Sequence, residues 1–97
     1  MNIKIRQTRI EPSFNFDVIV EEENTSTQHL VSMSKEFYNS LDTKKTALDV
    51  VRTIFEFLLD RETKEQILRE FDVTVVSHYY PEFKEKLKEM LKNEWVL

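Results

Sequence analysis

The sequence predicts an α+β domain: a small antiparallel β-hairpin or three-stranded sheet packed against four to five helices, with a central helix at about residues 47–60. Three observations carry this. Residues 14–20 alternate apolar and polar side chains, the period of a half-buried strand. Residues 47–60 are apolar around well over half a helical circumference, the pattern of a helix contacted on several sides. And 97 residues, 40% of them apolar, suffice for a single core, so residues 1–97 read as one domain.

The elements follow in order. Residues 1–10 place Ile3 and Ile5 opposite Lys4 and Arg6, which fits either an edge strand or a flexible arm. Glu11-Pro12-Ser13 interrupts the pattern. Phe14, Phe16, Val18 and Val20 then share one face of a strand. His29, Val31 and Met33 share a face of a second, and the polar stretch 21–27 reads as the loop between them. Ser34 is a suitable N-cap for a short helix over 35–41 that buries Phe37, Tyr38 and Leu41. Thr46, with Asp49 three residues on, opens the central helix.

Thr63 and Gln66 repeat the capping-box spacing, ahead of a short helix that buries Ile67 and Leu68. Residues 71–80 are double-valued. Val73, Val75 and Val76 favour strand by propensity, whereas Phe71, Val75, Val76, Tyr79 and Tyr80 recur with a helical period. Helical neighbours on both sides decide for helix, with Asp72 as its cap. Pro81 breaks it at Tyr80. Residues 82–93 form an amphipathic helix with Phe83, Leu87, Met90 and Leu91 in one stripe, and 94–97 are an apolar tail.

Two residue types are missing, and they exclude much chemistry. Without cysteine there are no disulfides, thiolate nucleophiles or iron–sulfur clusters. Without glycine there is no P-loop, dinucleotide-binding turn or nucleophile elbow, since each needs backbone that only glycine permits. His29 and His78 are the only imidazoles, and Pro81 disrupts the shared face that His78 and Glu82 need. No carboxylate pair falls in an apolar setting that would raise a pKa. The reading is therefore non-enzymatic, with no metal and no cofactor.

No apolar run approaches the ~20 residues of a membrane helix, and the N-terminal stretch lacks a signal-peptide core, so the expected compartment is the cytoplasm, with no membrane partner. The net charge of −4 is unevenly spread: +3 over residues 1–10, −5 over 11–23 and +2 over 83–93. An acidic middle between weakly basic ends disfavours nucleic acid, which calls for a continuous basic patch. A protein partner or a second copy is the expected ligand. Tyr79, Tyr80 and Trp95 are the candidate contact residues, with a helix-terminal aromatic folded back on the core as the equal alternative.

The stretch from His29 through Met33, Ser34–Leu41 and Thr46–Leu59 resembles a ribbon-helix-helix unit, a strand followed by two helices, covering roughly residues 28–60. The resemblance implies a dimer paired through the strand, with the paired strands in the DNA major groove. Gln28, Leu30 and Ser32 would then face the bases, backbone amides near Thr46 would hold a phosphate, and Lys4, Arg6 and Arg9 would add charge. A transcriptional regulator or antitoxin of that type is the alternative function. FEFLLDRE at 55–62, ILREFD at 67–72 and YYPEF at 79–83 resemble small uncharacterised bacterial proteins of about 100 residues, which implies no function.

Overall fold

The computed structural model describes residues 1–93, with side chains through Lys92. It is an α+β fold whose four-stranded mixed sheet runs in the order β1-β2-β3-β4. β1 (Asn2–Arg9), β2 (Phe14–Glu22) and β3 (Thr25–Met33) form an antiparallel meander. Residues 2–9 are thus an edge strand, shifted in register between Gln7 and Arg9.

The loop expected over 21–27 is replaced by paired strand. Glu22 lies opposite Thr25, leaving Glu23 and Asn24 as a two-residue turn. Glu23 adopts φ 57° there, and the Thr25 hydroxyl donates to the Glu22 carbonyl at 3.0 Å. Tight hairpin turns normally announce themselves through glycine at such positions, and this chain has none.

α1 (Lys35–Ser40) and α2 (Ala47–Leu59) begin at the expected caps: Ser34 Oγ accepts from the Phe37 amide, and Thr46 Oγ1 from the Asp49 amide. The chain continues through a single 3₁₀ turn, Lys64–Gln66, at which the Gln66 side chain accepts from the Thr63 amide at 2.9 Å. Ile67 is buried, but Leu68 is 45% exposed, contrary to the expected helix face. Residues 67–69 have left helical geometry and lead into a strand.

That strand, β4 (Glu70–Asp72), pairs parallel to β3, with Val31 opposite Phe71. It corrects the expectation of helix from residue 71. Helix resumes after Asp72, whose carboxylate caps a 3₁₀ turn (Val73–Val75) by accepting from the Thr74 amide. α3 (Val76–Tyr79) follows. Tyr80 is extended ahead of Pro81, and α4 (Phe83–Asn93) runs to the last described residue. Two parallel neighbours require a crossover, and α1 and α2 lie within it.

α2 explains its own composition. Phe55 packs toward the sheet, its ring 5.5 Å from His29 and 6.1 Å from Phe71. Phe57, on the opposite side, meets Phe83 of α4 at 5.2 Å and Tyr80 at 5.6 Å. The helix thus lies between the sheet and the C-terminal helices, and most of its circumference is buried, apart from the stripe through Asp49, Arg52 and Glu56. At the sheet's edge the Arg52 guanidinium donates to the Ile3 carbonyl at 2.8 Å, tying α2 to β1. Phe16, Val18 and Val20 of β2 and His29, Val31 and Met33 of β3 are all buried on the inner face. Full burial of each such aliphatic or aromatic side chain is worth about 1.5–3 kcal/mol.

Candidate functional site

Strand alternation sends one set of side chains into the core and the other onto the open face of the sheet. That face collects the residues singled out for DNA. Lys4, Ile19 and Gln28 form one cross-strand row, and Arg6, Asp17, Leu30 and Glu70 the next. Asn15, Ser32 and Asp72 form a third, with Arg9 opposite Asn15 at the register shift.

The charges on this face are largely matched. Lys4 lies 3.4 Å from Glu21 and Arg6 3.2 Å from Asp17, which also accepts from Gln28 at 2.8 Å. Ser32 donates to Asp72 at 2.8 Å. Asp72 also accepts from the Thr74 amide and hydroxyl. Burial pushes its carboxyl up, but these hydrogen bonds from Thr74 and Ser32 outweigh it, and the net direction is down. Leu30 stands exposed among them. β3 is paired on both edges within the chain, by β2 and β4, so the strand pairing between subunits that the ribbon-helix-helix resemblance implies has no free edge there.

A second assembly lies where the crossover returns to the sheet. The end of α2, residues 66–71 and α3 enclose a cleft of about 360 Å³. Leu58, Ile67, Phe71 and Val76 supply apolar walls, with Arg61, Glu62 and Gln66 at the polar margin. Leu68 and Tyr79 flank it, 45% and 66% exposed. Such exposure of large apolar side chains beside an apolar recess marks it out from ordinary scattered surface residues.

The two expected contact tyrosines both line this cleft but behave differently. Tyr79 projects outward. Tyr80 folds back on Phe57, and its hydroxyl donates to Glu62 at 2.5 Å. The neighbouring carboxylate pushes the Tyr80 hydroxyl pKa up. Arg61 lies over the Phe57 ring at 3.6 Å and donates to the Phe57 carbonyl. Trp95 lies outside the described residues.

Two buried polar residues outside the expected contact sites shape the cleft's surroundings. His29 Nδ1–H donates to the Leu68 carbonyl, and its Nε2 lies 2.8 Å from the Thr27 hydroxyl. A carbonyl oxygen only accepts, so Nδ1 carries a proton, and Nε2 accepts from the Thr27 hydroxyl in the neutral ring. Desolvation by burial lowers its pKa, a nearby Arg69 charge adds to that, and the Leu68 bond opposes both. Lys64 is buried between Glu65 at 2.8 Å and Glu22 at 3.8 Å, joining the crossover to the hairpin tip. The alternation that put His29 on the inner face was the available signal; nothing in the sequence marked Lys64.

Among the described residues no group of three histidine, aspartate or glutamate side chains is placed to hold a metal ion. No helix among them is long and apolar enough to cross a membrane. No family model, curated protein or solved structure matches the chain.

Proposed function

We propose that this chain is a small non-enzymatic protein-interaction module that receives an apolar side chain of a partner protein in the cleft between the end of α2, the returning crossover and α3. The observation behind this is the placement of exposed Leu68 and Tyr79 around a recess walled by Ile67, Phe71 and Val76. Interface anchors of this kind are large apolar side chains entering desolvated pockets beside aromatic rings. Arg61, Glu62 and Gln66 form a polar margin that would orient such an anchor. The compartment in this reading is the cytoplasm, in keeping with a chain without cysteine.

The test is a selection of displayed peptides on the intact protein, with each winner re-measured on Leu68→Ser and Tyr79→Ala. The reading expects peptides with an apolar or aromatic anchor whose affinity falls on both variants. Peptides that bind wild type and both variants alike would overturn it. Molar mass in solution reads the self-partnered form directly: a dimer that Leu68→Ser dissociates makes the partner a second copy.

The second reading, a DNA-binding regulator, draws on Lys4, Arg6, Gln28, Leu30 and Ser32 sharing one open face. It expects duplex affinity that falls steeply with salt and is lost when Lys4, Arg6 and Arg9 are neutralised. The pairing of Lys4 and Arg6 with Glu21 and Asp17 makes it the weaker of the two.

A further inference from the structure

Several bases of this acidic protein are paired and others are not. Lys4, Arg6, Lys35, Arg61 and Lys64 each have a carboxylate partner: Glu21, Asp17, Glu11, Asp60, and Glu22 with Glu65. Lys44, Lys88 and Lys92 make no ion pair among the described residues, as is also true of Arg9, Arg69, Lys84 and Lys86, but these three line one cleft of about 460 Å³ between the α1–α2 turn and the C-terminal half of α4. Spaced i, i+4, Lys88 and Lys92 share one side of α4. The floor is formed by the edges of Leu41 and Leu91, extended by the methylene stems of the lysines. Among the described residues Asp42 is the one acid lining the cleft; Glu85 and Glu89 of α4 do not line it.

The turn that presents Lys44 is braced. Asp42 takes φ 51°, the Lys45 amide donates to Thr43 Oγ1 at 3.1 Å, and the Tyr38 hydroxyl donates to the Lys45 carbonyl. Asp42 is the left-handed residue that ends α1, its amide donating to the Asn39 carbonyl at 3.2 Å, a conformation that short polar side chains adopt at helix ends.

We propose that this cleft docks an acidic segment of a partner protein, its carboxylates on Lys44, Lys88 and Lys92 and one apolar side chain on Leu41 and Leu91. The charge left after Asp42 is positive on a chain that is negative overall, so the cleft is where an acidic ligand meets least repulsion. A duplex carries a negative charge about every 1.7 Å and would extend beyond three lysines onto acidic surface. An anionic membrane calls for a cluster of about 4–8 basic residues, which this cleft does not reach. The apolar floor serves neither. This surface is separate from the Leu68–Tyr79 cleft, and the inference does not rest on the function proposed for that cleft.

The test is fluorescence anisotropy with a labelled peptide alternating glutamate and leucine, against the full chain. Binding is expected to weaken with salt and to fall at least about tenfold in Lys88→Glu and Lys92→Glu, the scale of losing a charged contact. Lys86→Glu, on the same helix but not lining the cleft, should leave affinity unchanged, and replacing the peptide's leucines by serine should weaken it. Thermal unfolding of each variant shows that the fold is retained. Equal losses in Lys86→Glu, no binding at millimolar peptide, or tighter Lys88-dependent binding of an oligonucleotide or an anionic vesicle would each overturn the proposal.

Discussion

His29 Nδ1 lies 2.7 Å from the carbonyl oxygen of Leu68, so one imidazole joins the third strand to a chain segment 39 residues further on. Directly beyond that carbonyl the chain enters β4, with the Leu30 amide donating to Arg69 at 2.8 Å. The histidine therefore sits at the joint where the crossover returns to the sheet.

Its protonation should be visible in stability. Burial holds the folded pKa below its usual value, while the unfolded ring titrates near 6.5. Between the depressed pKa and about 6.5 the unfolded chain binds more protons, so stability is complete above that window and declines as pH falls through it. Urea unfolding at pH 7.5 and 5.5 should show this decline in wild type and a shallower one in His29→Gln.

Asp72 titrates in the same sense, in a lower pH range. Its folded pKa is depressed, so its contribution is present above the usual aspartate range and is lost as pH falls through the folded value. Asp72→Ala removes a cap and the partner of Ser32, and should cost about 0.5–2 kcal/mol at neutral pH in urea unfolding.

Phe57→Ala should be among the most damaging single changes. The ring is fully buried and touches Phe83, Tyr80 and Arg61 at once, so its removal should cost about 3–5 kcal/mol by equilibrium unfolding. Tyr79→Ala, at an exposed position on the same side of the molecule, should stay within about 0.5 kcal/mol of wild type.

Glu23→Gly should raise stability. A residue with a Cβ in the left-handed region carries a penalty of about 1–2 kcal/mol, which glycine avoids at the cost of a more flexible unfolded chain. A modest upward shift of the thermal midpoint, with the hairpin register unchanged by NMR, is the expected result.

The elements most legible in the sequence were those specified by their own residues. Ser34 and Thr46 cap where their chemistry says, and the broad apolar arc of α2 announces a helix with neighbours on more than one side. The alternation at 14–20 and 29–33 predicted the inner face correctly. What escaped was specified from a distance. β4 is only three residues long, and it is a strand because β3 offers it an edge. The hairpin turn was hidden because Glu23 does the work usually given to glycine. Leu68 was expected inside because a helix was expected there; with the chain extended, alternation turns it outward beside the cleft. Tyr79 and Tyr80 were legible as a pair, but only the break at Pro81 and the position of Phe57 separate the outward ring from the inward one.

The placement of α2 between the sheet and α4 has a consequence for how the molecule opens. Hydrogen exchange at the α2 amides cannot proceed by peeling away one layer, because removing either still leaves the other in place. These amides should exchange only through global unfolding, at the slowest rate in the chain, while those of the 64–72 return, held by a three-residue strand, exchange through smaller openings.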